Sequence, residues 1–452
     1  MRLGKYVNNI SGLQLINFLR FFVFLLASIV FTKSTHLSIK RIGDFEMMMF
    51  IYNLVSFFWV TGIIQSLLTI YNNNKVFPGV KDNPNRKSPE IFNAFLLLSV
   101  FSLILFIAGH LFKGNLYVYQ DIQEIPHVDL LLWYILLNNP TNLIEYIYLL
   151  RNQSKNIFVY GVVSYSLQLV CLIGPILLGY DIDFAFRGLL WITGIRLLWL
   201  FFLLFKYAEF KISFPFIGSH LKLGVPLIVS SLLSGSAQYV DNFLVALNFD
   251  QNDFALFRYG AKEMPFVVMM ATGLHSAMLP EFSTSPDLRI VLARLRHRSL
   301  RLINLLFPIT FALLLSSNWI FIHMFNPSFR PAADVFMVYL LLIISRLVFP
   351  QTILIGLQLT RPVMIASILE VIFNIILSLI LIPIYHLTGI VLATVMIFLL
   401  EKIGLMTYVY YKLGIKPYKY VPVKLYLFYS ILLIGLFVLI DHRIILLYVP
   451  GQ

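Results

Sequence analysis

The 452-residue chain is 59% hydrophobic and 15% aromatic, and only 12% of its residues are charged, about half the roughly 25% of an average soluble domain. This composition excludes an ordinary soluble protein, because too few polar side chains are present to cover a water-exposed surface. The formal net charge is +13. The single cysteine, Cys171, excludes an intrachain disulfide and a metal site built from several thiolates.

Apolar stretches long enough to cross a membrane recur along the chain. The first lacks a signal-peptide cleavage site and is too long for a signal peptide, so we expect it to stay as a membrane helix. Continuous runs of about 20 apolar residues are typical of helices rather than barrel strands. The sequence therefore predicts an all-α polytopic membrane protein with about 12–14 transmembrane helices. Thirteen spans are counted, at 13–32, 45–71, 91–112, 128–149, 157–179, 187–206, 222–247, 255–279, 302–325, 333–358, 363–384, 387–411 and 424–440.

The distribution of Lys and Arg between the connections predicts the orientation. With the N-terminus in the cytoplasm, the inner connections carry 21 of these residues and the outer ones 7. Positive charge concentrates on the cytoplasmic side of membrane proteins, so this bias predicts a cytoplasmic N-terminus. Most of the net charge thus reflects topology and does not indicate nucleic-acid binding. The basic run 288–301 is expected to lie along the headgroups as an interfacial helix.

A weak internal repeat suggests two lobes. Gly43-Asp44-Phe45, followed by Thr61-Gly62, resembles Asn252-Asp253-Phe254, followed by Thr272-Gly273. Six predicted helices separate the copies, so both enter the membrane in the same direction, as in parallel transporter repeats. We expect pseudo-symmetric six-helix lobes at 1–210 and 211–412, with an additional membrane helix and tail at 413–452.

Ionisable residues within the spans are the candidates for function. A charge at the centre of a span costs about 2.5–3.5 kcal/mol on insertion scales, so these side chains should line a polar cavity or pair with one another. The seventh helix places Ser231, Ser234, Gln238 and Asp241 on one stripe, and Pro140 must disturb the fourth. Several ionisable residues occur within the spans and are taken as candidates: Arg20, Glu145, Arg196, Asp241, Arg258, Lys262, Glu263, Arg346, Glu370, Glu401 and Lys402.

Deep cations without an obvious carboxylate for each indicate an anionic ligand, because a guanidinium presents a fork of donors that matches phosphate oxygens. The predicted substrate-binding residues are Arg20, Arg258, Lys262, Arg346 and Arg196. The carboxylates of Asp241, Glu145 and Glu370 are candidates for ion coupling. A purely structural pairing of Asp241 with Arg258 or Lys262 remains an alternative, and Glu263 could simply offset Lys262.

Several segments resemble the polysaccharide flippases of the multidrug/oligosaccharidyl-lipid/polysaccharide (MOP) exporter superfamily. They are NNISGLQLINFLRFF, GDFEMMMFIYNLVSFF, LGVPLIVSSLLSGSAQYVDNFLVAL and FRYGAKEMP, and the resemblance covers about residues 5–412. It implies a V-shaped fold of two lobes, alternating access, and export of an undecaprenyl-pyrophosphate-linked oligosaccharide such as an O-antigen or capsule repeat unit. Arg20 and Arg258 lie where the family uses cavity cations. Thirteen helices depart from the family's usual twelve or fourteen.

The chain carries no GxxxxGK[ST], HExxH or GxSxG motif and no Cys/His cluster, so we expect no enzyme activity, no cofactor and no metal site. Three alternatives stay open: a cation-coupled multidrug antiporter, a lipid II flippase of the same superfamily, and a membrane-embedded oligosaccharide polymerase or ligase. The expected partners are the lipid-linked substrate, membrane lipids, and glycosyltransferases and a polymerase of the same pathway. Nucleic acid is not expected.

Overall fold

The computed structural model describes residues 9–71, 87–116, 127–151, 153–262, 265–284, 287–357 and 359–441. Its helices are α1 (Asn9–Lys33), α2 (Ile39–Tyr71), α3 (Pro89–Leu116), α4 (Val128–Thr141), α5 (Leu143–Leu150), α6 (Ser154–Leu177), α7 (Ile182–Tyr207), α8 (Phe214–Asn248), α9 (Gln251–Gly260), α10 (Pro265–Thr284), α11 (Leu288–Met324), α12 (Arg330–Leu340), α13 (Ile343–Arg346), α14 (Pro350–Gly356), α15 (Thr360–Leu413) and α16 (Val423–Asp441). Short 3₁₀ turns lie at Pro327–Phe329 and Pro417–Lys419.

The all-α prediction is confirmed. Within the described ranges, β-pairing is limited to one isolated bridge between Ser88 and Ala208. Nine helices in those ranges are long and apolar enough to cross a membrane. Within the described ranges, each of the thirteen predicted spans lies mostly on helix, although several consist of more than one helix. The number of transmembrane helices stays a prediction. Many large apolar side chains are exposed, including Trp191 at 74% and Leu111 at 72%, as lipid-facing surfaces require.

Three of the predicted spans are broken. The fourth divides just after Pro140, where α4 ends at Thr141 and α5 begins at Leu143, as the missing N–H of proline predicts. The eighth comprises α9 and α10, and the tenth comprises α12, α13 and α14. These breaks leave short helices whose ends lie at membrane depth, where backbone groups must be satisfied by neighbouring protein or water.

The element α15 contains the eleventh and twelfth predicted spans as a hairpin. His386 adopts φ +50° and ψ −132°, which reverses the chain. The two halves pack against each other, because Asn374 in the first half donates a hydrogen bond to Thr394 in the second at 3.0 Å. Gly389 permits the close turn, since a Cβ atom there would lie 2.6 Å from the Leu381 carbonyl oxygen.

The basic run 288–301 does not form the separate interfacial helix that its charge suggested. It is the beginning of α11, a continuous helix of 37 residues that is about 55 Å long at 1.5 Å per residue. That length exceeds the roughly 30 Å of the hydrocarbon core. The apolar residues from 302 onward account for the span, so the charged turns extend beyond it.

The chain forms two compact units, one of residues 1–235 and 250–255 and the other of residues 236–249 and 256–452. In the first unit, α6 packs against α1 and α7, α4 packs between α3 and α7, and the first half of α8 lies on α2, where His220 donates to the Ile63 carbonyl oxygen at 2.8 Å. In the second unit, α14 packs against α10 and α15, and α12 against α11 and α15. The division into six-helix repeats at 1–210 and 211–412 stays a prediction.

Candidate functional site

A polar cavity of about 190 Å³ lies inside the first unit. It is surrounded by α1, α2, α4, α5, α6 and α7. Its polar and ionisable lining residues are Arg20, Tyr52, Asn53, Ser56, Thr61, Tyr134, Asn138, Asn139, Thr141, Asn142, Glu145, Tyr160, Tyr165, Gln168 and Arg196. Polar groups at this depth are costly unless they line a watery space or bind one another, so the cavity is the candidate site.

Two guanidinium groups meet at the Tyr165 ring. The Arg20 Cζ atom lies 5.8 Å from the ring centroid and the Arg196 Cζ atom 4.9 Å from it. Cation–π contacts of this kind contribute about 0.5–2 kcal/mol, more when the groups are desolvated. Tyr165 is 4% exposed, so it is fixed by packing. The sequence predicted both arginines separately, and the structure brings them to one aromatic side chain.

Arg20 has a carboxylate partner. Its Nη2 donates to Glu145 Oε1 at 3.0 Å, and its Nε donates to the Tyr165 hydroxyl at 2.9 Å. This ion pair corrects the prediction that Arg20 lacks a carboxylate partner, and it joins Arg20 to Glu145, which the sequence indicated as a separate ion-coupling candidate. The Arg20 side chain is 42% exposed, whereas that of Glu145 is 8% exposed, so the guanidinium remains open on the cavity side.

Arg196 is held by neutral partners. Its Nε donates to Ser164 Oγ at 2.7 Å and its Nη2 to Gln168 Oε1 at 2.6 Å. Ser164 and Gln168 are one turn apart on α6, so both reach the same guanidinium. A guanidinium has five N–H donors, which leaves donors of Arg196 for a further acceptor. Its positive charge is not offset by these partners.

Amide and hydroxyl groups form the rest of the wall. Tyr52 donates to Asn139 Oδ1 at 2.9 Å and accepts from Asn138 Nδ2 at 2.7 Å, while Asn139 Nδ2 donates to Ser56 Oγ at 3.1 Å. The break after Pro140 places this pair of asparagines on α4 and Glu145 on α5, all lining the same cavity. Such groups offer both donors and acceptors, as hydroxyl-rich ligands require.

The cavity carries a net positive charge. Its charged lining residues are Arg20, Arg196 and Glu145, which gives a formal charge of +1. Spare guanidinium donors in a confined site bind oxyanions more strongly than they would in bulk water. The arrangement therefore suits a phosphate-containing ligand with polar substituents.

The second unit contains a separate buried carboxylate. Asp241 accepts from Thr394 Oγ1 at 2.8 Å and from Asn374 Nδ2 at 3.4 Å, and Ser378 donates to Asn374 Oδ1 at 2.9 Å. All four residues are less than 5% exposed. Among the described residues, Asp241 has these neutral partners and forms no ion pair, so the structure does not pair it with the cations on α9 and beyond.

The remaining predicted cations each have another neighbour in the second unit. Arg258 Nη1 donates to Asn242 Oδ1 at 3.3 Å, Lys262 Nζ lies 4.5 Å from the Tyr259 ring centroid, and Arg346 Cζ lies 4.9 Å from that of Phe398. Lys262 follows the end of α9 and lines a small pocket. Glu263 lies outside the described residues, as do the side chains of Ser231, Ser234 and Gln238 on α8.

Glu370 and Glu401 line one groove between the two halves of α15. Glu401 contacts Lys402 Nζ at 2.7 Å and accepts a short hydrogen bond from Gln351. Both carboxylate residues are 8% exposed. In the described part of the chain, no three His, Cys, Asp or Glu side chains converge as metal ligands.

Comparison with known proteins identifies the family. The profile of the polysaccharide biosynthesis protein family matches residues 37–334. The chain belongs to this family. No curated protein sequence matches it at a significant level.

Solved structures share the fold. A structure titled "Lipid II flippase MurJ, inward closed conformation" has a TM-score of 0.69 and 17% identity, and the match covers 95% of this chain and 92% of that one. An inward-facing multidrug resistance MATE transporter of the MOP superfamily has a TM-score of 0.64 and 12% identity, covering 87% and 94%. A MOP superfamily transporter from Pyrococcus furiosus has a TM-score of 0.51 and 14% identity, covering 90% and 93%. The predicted MOP/MATE-like fold is thereby confirmed.

Three residues that hold the two cavity arginines in place were not predicted from the sequence. Tyr165, Ser164 and Gln168 lie in the fifth predicted span, which contributed no candidate. A signal was present, because a serine and a glutamine one turn apart interrupt an apolar helix and mark a polar face. Thr394, which binds Asp241, was missed because a single threonine in a membrane helix usually bonds to its own backbone.

Proposed function

We propose that the protein flips undecaprenyl-pyrophosphate-linked oligosaccharide repeat units from the cytoplasmic to the periplasmic face of the bacterial inner membrane by alternating access, for polysaccharide biosynthesis. The observation that carries the proposal is the pair of guanidinium groups, Arg20 and Arg196, that share Tyr165 in a polar cavity. Membership of the polysaccharide biosynthesis family supports it.

The chemistry of the cavity fits the head of such a lipid. A pyrophosphate presents several oxyanion acceptors, and the spare N–H donors of Arg20 and Arg196 supply charge-assisted hydrogen bonds of about 1.5–3 kcal/mol each. The sugars would contact the amides and hydroxyls of Asn138, Asn139 and Tyr52. The prenyl tail would stay in lipid, since its apolar surface gains nothing by entering a polar cavity.

The proposal extends to the second unit. We assign Arg258, Lys262 and Arg346 to substrate binding as further cations, to be tested individually. For ion coupling we favour Asp241 over Glu145 and Glu370, because Glu145 is already paired with Arg20. Asp241 is buried among neutral donors, so protonating it or binding a cation to it removes an uncompensated charge.

Two further functions have specific support. Buried carboxylates such as Asp241 also suit a cation-coupled multidrug antiporter, and a lipid II flippase would carry the same pyrophosphate group. The surplus of cations over carboxylates in the first-unit cavity favours an anionic substrate over a cationic drug. The expected orientation has a cytoplasmic N-terminus. Glycosyltransferases and a polymerase of the same pathway are the proposed partners, and the protein itself is proposed to act as a transporter and not as a polymerase or ligase.

The test uses a strain that lacks this gene. It is complemented with wild type, with Arg196→Gln, or with Arg187→Gln, whose exposed cation lies on the same helix outside the cavity. Lipid-linked repeat units are then assayed on each membrane face, together with surface polysaccharide. Units trapped on the cytoplasmic face in the deletion and Arg196→Gln strains, but not with Arg187→Gln, support the proposal. Normal polysaccharide with altered drug sensitivity would favour the antiporter, and loss of peptidoglycan precursor export would favour the lipid II flippase.

A further inference from the structure

A basic pocket of about 560 Å³ lies in the second unit and shares no lining residue with the cavity, groove and small pocket described above. It is formed by the first turns of α11, the 3₁₀ turn at Pro417–Lys419, and the first turn of α16. Its lining residues are Ala293, Arg296, His297, Leu300, Tyr418, Lys419, Pro422, Val423, Lys424 and Leu425. The proposed transport function makes no use of this pocket.

One face of α11 is directed to the pocket. Ala293, Arg296, His297 and Leu300 follow the i, i+3, i+4, i+7 spacing of a single helical stripe. Two other arginines of this run, Arg294 and Arg298, lie one turn apart on a different stripe and bind Glu281: Arg294 Nη1 lies 3.1 Å and Arg298 Nη1 2.9 Å from its carboxylate oxygens. Arg294 and Arg298 thus share one carboxylate, whereas the stripe of Arg296 and His297 lines a pocket in which the described residues include no acid.

Four basic side chains line the pocket. Within the described part of the chain, none of Arg296, His297, Lys419 and Lys424 has a side-chain hydrogen bond or an ion pair. They come from three segments, and the described residues that line the pocket include no Asp or Glu. Arg296, Lys419 and Lys424 are exposed cations that line the same pocket, so their positive charges together attract an anion.

The surroundings of the pocket favour a lipid headgroup as the anion. The pocket lies where α11 and α16 both begin, and each of these helices continues as a span long enough to cross the membrane. Its walls include Leu300, Val423 and Leu425, and Tyr418 at its edge is 54% exposed. Apolar side chains beside basic ones, with an exposed tyrosine at the edge, are typical of protein surfaces at the boundary between lipid headgroups and acyl chains.

We propose that this pocket binds the headgroup of an acidic phospholipid of the surrounding leaflet. The phosphate would lie between Arg296, Lys419 and Lys424, and the upper acyl chain would contact Leu300 and Val423. A free inorganic anion would use the cations but not the apolar wall. The two predicted cytoplasmic connections that supply the residues also meet here, so the lipid would belong to the cytoplasmic leaflet.

The experiment compares lipid binding by two double variants of equal charge. Arg296→Gln with Lys424→Gln removes two pocket cations, and Arg289→Gln with Lys412→Gln removes two exposed cations of the same connections that do not line the pocket. Each protein is purified in detergent, and retained phosphatidylglycerol is titrated by native mass spectrometry. Thermal unfolding is then measured in phosphatidylglycerol and in phosphatidylcholine nanodiscs.

We expect the pocket variant to bind phosphatidylglycerol about 30-fold more weakly, since each basic side chain near an anionic surface contributes about fivefold. It should also lose the stabilisation that phosphatidylglycerol gives to wild type. The control variant should keep both properties, and Arg296→Lys with Lys424→Arg should restore them. Equal losses in both variants, unchanged binding in the pocket variant, or equal protection of wild type by inorganic phosphate would each overturn the proposal. The readout is lipid binding, so its failure leaves the proposed transport function untouched.

Discussion

Replacing Arg196 by glutamine tests the cationic cavity most selectively. The guanidinium is buried at 6% exposure and binds Ser164 and Gln168 at 2.7 and 2.6 Å. Glutamine keeps a polar group near these partners, so neither is left without a hydrogen-bonding neighbour. The substitution removes one positive charge and the formal charge of the lining falls from +1 to zero.

The expected loss of affinity follows from the interaction that is removed. A hydrogen bond to a charged group contributes about 1.5–3 kcal/mol, which corresponds to about 10- to 150-fold in the dissociation constant. Two unit charges 4 Å apart interact by about 4 kcal/mol at an effective dielectric constant of 20. The Coulomb energy of about 4 kcal/mol is the larger value because it omits the cost of desolvating both groups. The range of about 1.5–3 kcal/mol is therefore used for the expected loss of affinity.

The assay is equilibrium binding of a fluorescent undecaprenyl-pyrophosphate oligosaccharide to protein in nanodiscs. Arg196→Gln should weaken binding by about 10- to 150-fold. Arg196→Lys should bind with an affinity between that variant and wild type, because lysine keeps the charge but lacks the bidentate donor geometry of the guanidinium. Arg187→Gln on the same helix should bind like wild type. Wild-type affinity in the Arg196→Gln variant would refute the assignment of the cavity to the pyrophosphate.

Three further outcomes are expected. Glu145→Gln raises the lining charge from +1 to +2 and should tighten headgroup binding about tenfold while slowing transport, as measured by the same titration and by initial flipping rates; weaker binding would contradict this. Asp241→Asn keeps the shape of the side chain and should abolish the dependence of flipping on the proton or sodium gradient; retained dependence would exclude Asp241 as the coupling group. Gly389→Ala places a Cβ atom 2.6 Å from the Leu381 carbonyl oxygen and should destabilise the protein by about 1–3 kcal/mol in thermal or denaturant unfolding, whereas Gly404→Ala, which has no atom within 4 Å of its added Cβ, should be neutral.

Hydropathy predicted the helical fold because membrane-spanning backbone must satisfy its own hydrogen bonds. The break after Pro140 was equally predictable, since proline lacks the donor that a helix interior needs. The reversal of α15 at His386 was located between two spans, but its backbone conformation was not predictable, because φ > 0 is uncommon for a histidine. The continuity of α11 was not predicted, because the charged residues of 288–301 favoured a separate interfacial helix, although no helix-breaking residue separates them from the following span.

The site was predicted in composition but not in its pairings. Arg20 and Glu145 were both singled out, yet their ion pair joins residues 125 positions apart, and no local spacing reveals such a contact. Arg196 was found through its charge, whereas Tyr165 was missed because tyrosine is common in membrane helices and carries no charge. The convergence of both arginines on that ring depends on how α1, α6 and α7 pack.

The most direct measurement is translocation of a fluorescent undecaprenyl-pyrophosphate oligosaccharide by the purified protein in proteoliposomes. The measured quantity is the fraction of labelled lipid that moves from one leaflet to the other. We predict that wild type and Arg187→Gln move the lipid between leaflets, whereas Arg20→Ala and Arg196→Gln do not. Failure of wild type to move this lipid, with transport of a cationic dye in the same vesicles, would contradict the account.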